Sequence, residues 1–168
     1  MKRSPKLKPR KPDSVDSSDA GAARQSAVRW LSRREYAVAE ITNKLAQAGY
    51  DADAVDRAVG WLLEHDLVSD QRFAESFVRK RISRGYGPRR IAMELKQKGV
   101  ARNISSALLE GQGNNWFDVA SRAYGKRFGS TPCVSLKEKS RRVRYLENRG
   151  FYSEQIQHAL AENRNGHQ

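Results

Sequence analysis

The chain has little of what usually staples or anchors a small protein. Cys133 is its one cysteine among 168 residues, so no intramolecular disulfide can form and no cysteine-based zinc framework can be built. Three scattered histidines, His65, His158 and His167, do not make up the deficit. Nowhere is there an uncharged apolar run of the roughly 18 residues that a membrane-spanning helix needs. The charges from Met1 through Lys11 have no apolar run behind them, which argues against a secretory signal. These absences lead to the expectation of a cytoplasmic protein with no membrane partner and no metal or cofactor. Acidic residues are also scarce, 19 against 32 lysines and arginines, for a net charge of +13. That balance is expected of proteins that meet nucleic acid or another polyanion.

What is present is helical. Residues 1–25 carry Pro5, Pro9, Pro12, Gly21 and four serines, with Leu7 and Val15 almost the only sizeable apolar side chains. Too little can be buried there to offset chain ordering, so the segment is expected to be a disordered basic tail. From Ser26 to Glu162 the apolar spacing is helical, clearest in the stripe Val55, Ala58, Val59, Leu62 and Leu63, and no segment alternates as a strand would. Ser32 with Glu35 and Ser135 with Glu138 have capping-box spacing, and Pro88 suits a first helical turn.

Internal repetition is the strongest organising signal. A leucine followed four places later by glycine and then a large apolar residue occurs as Leu45, Gly49, Tyr50, as Leu95, Gly99, Val100, and as Leu146, Gly150, Phe151. A second pattern follows each glycine: Val55, Ala58, Val59; Ile104, Ala107, Leu108; Ile156, Ala159, Leu160. The pair of patterns predicts a helix ending in a glycine cap, a turn, and a helix whose alanine permits close approach. A further helix precedes each pair. The expected architecture is therefore all-α: three tandem three-helix repeats in an elongated, curved molecule, with units at 26–68, 69–114 and 115–162 and a flexible end at 163–168. Units of this size bury marginal cores, so stacking on neighbours should stabilise them.

Charge is unevenly divided among the units. Residues 26–75 carry −3, whereas residues 78–102 hold nine basic side chains against Glu94 alone and residues 122–149 hold nine against two. Arg79, Lys80, Arg81, Arg84, Arg89 and Arg90 surround Tyr86, whose ring could stack on a base, pack on a partner's apolar spot, or simply anchor the loop that leads to Pro88.

Chemistry for catalysis is not evident. The Gly85, Tyr86, Gly87, Pro88 turn lacks the glycine and lysine spacing of a phosphate loop and follows a helix rather than a strand. Cys133 has no base in its neighbourhood of sequence. His65 beside Asp66 is read as a cap on helix-end carbonyls. The pairs Glu35 with Glu40 and Asp53 with Asp56 fit a solvated helix face better than an acid and base pair.

The run Asp66, Leu67, Val68, Ser69, Asp70, Gln71, Arg72, Phe73, Ala74, then Gly85, Tyr86, Gly87, Pro88, then Ile91, Glu94, Leu95, Lys98, Gly99, Val100 resembles the RecX family of bacterial recombination regulators. The closing Tyr145, Leu146, Arg149, Gly150, Phe151 extends that resemblance, which covers roughly residues 26–162. It departs from the pattern at Arg142, which stands where Ile41 and Ile91 stand in the other units. The expectation there is a shifted first turn, with Val143 taking over the apolar contact.

The resemblance implies three three-helix repeats. It also implies a non-enzymatic protein that binds the RecA recombinase filament and mainly inhibits it, affecting recombination, DNA repair and the SOS response. Weaker, salt-dependent affinity for single- and double-stranded DNA goes with it. The candidate RecA- and DNA-binding surface is Arg79, Lys80, Arg81, Arg84, Tyr86, Arg89, Arg90, Lys96 and Lys98 in the middle unit, with Arg141, Arg142 and Arg144 in the third. No catalytic, cofactor or metal residue is expected. The absence of a sustained heptad pattern points to a monomer. The alternative is a helix-turn-helix-like protein that acts on DNA alone.

Overall fold

The computed structural model describes residues 16–113, 115–129, 131 and 133–165. Most of the segment expected to be a tail, residues 1–15, lies outside that range, as do 166–168 at the other end. Among the described residues there are nine helices and no strand. The first unit comprises α1 (Ala20–Leu31), α2 (Val38–Gln47) and α3 (Ala52–Glu64). The second comprises α4 (Asp70–Ser83), α5 (Pro88–Gln97) and α6 (Arg102–Glu110). The third comprises α7 (Asn115–Phe128), α8 (Leu136–Asn148) and α9 (Ser153–Asn165).

The repeated leucine, glycine, apolar pattern is a Schellman motif made three times. Gly49, Gly99 and Gly150 have φ of +98°, +79° and +89°, the left-handed region that glycine enters without a Cβ penalty. The next residue then donates its N–H back to the leucine carbonyl: Tyr50 to Leu45 at 3.3 Å, Val100 to Leu95 at 3.1 Å, Phe151 to Leu146 at 3.2 Å. All six of those residues are buried, which supplies the apolar contact that accompanies this cap. One sequence pattern thus fixes a helix end, a chain reversal and a core contact together. The same bond closes α4, where Gly85 (φ +73°) is followed by Tyr86 donating to the Arg81 carbonyl at 3.1 Å. At the end of α3 the left-handed place is taken by Asp66 (φ +51°), whose carboxylate is held by Arg72 at 2.8 Å.

Helix starts are set by side-chain caps in several units. Asp51 accepts from Ala54 N–H at 2.8 Å, Ser69 from Arg72 N–H at 3.3 Å and Ser135 from Glu138 N–H at 3.1 Å. Pro88 is the first residue of α5, as expected. Ser32 and Glu35 do not make a capping box: Ser32 closes α1, and α2 begins after Ala37, whose N–H donates to Glu40 at 3.4 Å. Nor does the tail reach residue 25. Asp19 accepts from Ala22 N–H at 2.9 Å and starts α1 at Ala20, burying Ala23 and Ala27. At the other end, α9 continues to Asn165, past the boundary set at 162. The close-approach alanine holds for Ala58 and Ala159, both fully buried, but Ala107 is exposed and Ser105 is the buried small residue of α6.

Two cores result. The first unit closes around Ile41, Leu45, Val55, Leu62 and Val68. The second and third share one core running from Phe73, Ile91 and Leu95 to Val119, Leu146 and Phe151. The first unit joins the second through Ala37, which is buried in that shared core, and through polar contacts: Val38 N–H donates to Asp70 at 2.8 Å, Glu40 meets Lys98 at 2.6 Å, and Glu35 meets Arg72 at 3.3 Å. Stacking therefore acts unequally, most strongly between units two and three.

Candidate functional site

The α4 cap dictates where the basic residues go. Reversal at Gly85 brings the start of α5 back beside the end of α4, so that both basic clusters flank Tyr86. The Tyr86 ring is half-buried among three guanidinium groups, with Arg90 at 4.6 Å, Arg149 at 5.1 Å and Arg81 at 5.5 Å from its centroid. Cations over an aromatic face are attracted to its quadrupole. Tyr86 packs against the core and its ring sits within the basic cluster.

Several of the cations are already committed. Arg81 lies 2.7 Å and Arg90 3.0 Å from the Glu94 carboxylate, and Lys98 is bound to Glu40. Burial pushes the Glu40 carboxyl up, but the Lys98 ammonium outweighs it and holds the group below its usual value. Arg79, Lys80, Arg84, Arg89, Lys96 and Arg144 are exposed and form no ion pair with described residues. Arg141 is also exposed, with only a 3.8 Å approach to Glu138.

Between the first and second units lies a cleft of about 220 Å³. Lys80, Arg81, Arg84 and Lys98 from unit two and Arg34 from unit one supply its cations, with Glu35 the one carboxylate; Phe73 and Phe77 form its apolar side. Helical geometry explains the selection. Residues 73, 76, 77, 80 and 84 share one face of α4 at about 100° per residue, whereas Arg79 stands off that face. Phosphate oxygens and an unstacked base are the ligand chemistry that such walls match. Arg89 and Lys96 belong elsewhere, beside Tyr152 and Met93 on the other side of α5.

Arg142 is a correction. Expected as a surface contact, it is 1% exposed and occupies the same core place as Ile41 and Ile91. Its guanidinium donates to the Tyr124 hydroxyl, to the Thr131 carbonyl at 2.9 Å and to Glu138 at 2.5 Å. The Arg142 hydrogen bond holds the Glu138 carboxyl below its usual value. The first turn of α8 is not shifted but lengthened: α8 has 13 residues where α2 and α5 have 10. The added length places Glu138 one turn before Arg142, where it neutralises a cation that the other units replace with isoleucine.

Arg149, Arg34, Phe73 and Phe77 were not among the candidate site residues read from the sequence. Arg149 donates to the Arg84 and Gly85 carbonyls at 2.7 and 3.2 Å, tying unit three to the α4 cap. Its place beside Gly150 in the repeat was the available signal. Arg34 sits in the net-acidic unit, and no periodicity connects it to Lys80.

Three consecutive three-helix units, acidic then basic, with a cationic cleft at the first junction, define a tandem helical-repeat binding protein. Comparison with known proteins narrows this. Residues 23–62, 69–109 and 116–160 match the descriptions "RecX, first three-helix domain", "RecX, second three-helix domain" and "RecX, third three-helix domain". The regulatory protein RecX of Chromohalobacter salexigens is 39% identical over 145 residues, 86% of this chain and 95% of that one. That of Halorhodospira halophila is 40% identical over 148 residues, 86% and 92% of the two chains. The crystal structure of RecX from Lactobacillus salivarius has the same fold, with a TM-score of 0.73, covering 86% of this chain and 96% of that one at 21% identity. The chain belongs to the RecX family of regulatory proteins.

Proposed function

We propose that this protein is a non-enzymatic regulator of the RecA recombinase. It binds the nucleoprotein filament and mainly inhibits it, with consequences for recombination, DNA repair and the SOS response. Family membership across all three units supports the partner. The cleft between units one and two, with five cations over Phe73 and Phe77, is the observation that carries the mode of action. A filament offers phosphates and protein carboxylates side by side, and an arrangement of separate basic units can follow both. In this reading Lys80, Arg84 and Arg34 take phosphate, Phe77 meets an unstacked base, and Arg141 and Arg144 extend the basic surface along α8. The protein works as a monomer in the cytoplasm and needs no cofactor.

ATP hydrolysis by RecA on single-stranded DNA tests this, with the protein added from far below to equal the RecA concentration and DNA in excess. Inhibition at substoichiometric protein is the expected result. Inhibition only as the DNA becomes saturated would instead favour the competing reading, a helix-turn-helix-like protein acting on DNA alone, which the α2–α3 and α5–α6 helix pairs make geometrically reasonable.

A further inference from the structure

A second concavity lies across α5 from the cationic cleft, where α5, α6, α7 and the start of α9 meet. It is an open groove of about 740 Å³, within the usual range for occupied sites. Its lining is mostly apolar, with Ala92, Val100, Leu109 and buried Trp116, beside the neutral polar Ser105, Ser106 and Gln155. Met93 and Tyr152 flank it, each 52% exposed although large and apolar or aromatic. Lys96 and Arg102 line its walls, and Arg89 reaches over the Tyr152 ring at 5.9 Å. Glu110 is the one acid among its lining residues.

We propose that this groove docks an acidic protein segment carrying bulky apolar side chains. The predominantly apolar lining argues against a nucleic-acid backbone, because phosphate oxygens would lose water against Ala92, Val100, Leu109 and Trp116. Acidic side chains of a peptide can instead reach Lys96, Arg102 and Arg89 at the rim while its apolar side chains cover Met93, Leu109 and Trp116. Exposed apolar surface rimmed by charge is characteristic of protein docking sites. The chain's own amino-terminal segment does not suit, since residues 1–15 carry six basic side chains and one acid and the rim would repel them. Arg89 and Arg90, adjacent in sequence and about 100° apart on α5, thus serve different faces: Arg90 the Tyr86 cluster, Arg89 the groove. The two faces allow protein and nucleic acid to be held at once.

The test is fluorescence anisotropy with a labelled peptide that repeats two acidic residues and a leucine, against a control with serine for leucine. Saturable binding is expected for the leucine peptide alone, weakened at least about tenfold by Met93→Glu and by the double change Lys96→Glu, Arg102→Glu, and within about twofold of wild type for Lys80→Glu. All of these positions are at the surface, and circular dichroism confirms that each variant is folded before titration. Equal binding of the serine peptide, unchanged affinity of Met93→Glu, or no saturable binding by the wild type overturns the proposal. So does sedimentation showing a self-associated wild type that Met93→Glu dissociates, since the occupant is then a second copy. No RecA is present in this titration, so its failure leaves the regulatory reading standing, and failure of the ATPase test leaves the groove standing.

Discussion

Gly87 and Gly150 meet backbone to backbone. A Cβ added to Gly87 would lie 2.5 Å from the carbonyl carbon of Gly150, and one added to Gly150 would lie 2.4 Å from the Arg90 backbone nitrogen. The contact lets Gly87 N–H donate to the Arg149 carbonyl at 2.7 Å and Arg89 N–H to the Gly150 carbonyl at 3.0 Å. Amides at the start of α5 that have no partner within their own helix are thereby satisfied by the turn that ends α8. Units two and three are joined by this seam as well as by their shared core.

Gly150→Ala is therefore expected to cost more than Gly49→Ala, although both glycines have positive φ. At Gly49 nothing lies within 4 Å of an added Cβ, so the cost is the left-handed strain alone, about 1–2 kcal/mol. At Gly150 overpacking adds about 1–3 kcal/mol. Gly87→Ala, with φ −89°, should show the steric part without the strain. Urea denaturation of the three variants checks the order, and equal losses at Gly49 and Gly150 would show that the seam yields.

The three helix-capping patterns were legible in the sequence because a Schellman motif needs a glycine, a leucine and an apolar residue at fixed offsets, all within six residues. What depends on distant partners was not. Ser32 and Glu35 had the right spacing for a cap, but the chain from Ser32 to Ala37 is loop, and the start of α2 is instead fixed across the junction by Asp70. The site was legible as a basic region around Tyr86 and not as two faces, because counting charge does not show that Glu94 neutralises Arg81 and Arg90 while Lys80 and Arg84 form no ion pair among the described residues. Arg142 was read as surface because Val143 was expected to take over its apolar contact. Its partners Tyr124 and Thr131 lie 18 and 11 residues away.

Arg142 makes the third unit depend on a polar core where its neighbours use isoleucine. Arg142→Ala should destabilise by about 3 kcal/mol, because it leaves a cavity and unpartnered groups on Tyr124 and Glu138. Arg142→Met combined with Tyr124→Phe and Glu138→Gln should recover part of that loss, since the buried charge is removed together with two of its partners and only the Thr131 carbonyl still loses its donor. Thermal unfolding of the single and triple variants distinguishes the cases, and a triple variant no more stable than Arg142→Ala would point to a role for the guanidinium that burial alone does not explain.

Acid should loosen the junction between units one and two and the third unit together. Glu40 and Glu138 both have carboxyl groups held below their usual value in the folded protein. A depressed folded-state value contributes stability that is present above the unfolded-state value, near about 4.3 for glutamate, and is lost as pH falls through the folded-state value. Stability should therefore decline below about pH 5. The deficit of Glu40→Gln relative to wild type should be largest near neutrality and shrink as Glu40 itself becomes protonated. Urea midpoints measured across this range test the sign; a gap that widens on acidification would contradict it.

The contrast between Lys80 and Lys98 gives the sharpest test of the cationic cleft, because both line it and only one is paired. Lys80 meets no carboxylate among the described residues, whereas Lys98 is 2.6 Å from Glu40. A phosphate binding at the cleft gains the whole of the Lys80 charge but must compete with Glu40 for Lys98. Lys80→Gln should therefore weaken single-stranded DNA binding more than Lys98→Gln does, and should flatten the slope of log affinity against log salt by about 0.7, the value for one phosphate contact on a single strand. Glu40→Gln should act in the opposite direction and strengthen binding by releasing Lys98 from its partner. Titrations of labelled oligonucleotide at several salt concentrations read all three variants. Equal losses for the two lysines, with no gain from Glu40→Gln, would place the DNA outside this cleft and assign the basic character of α4 to a protein partner instead.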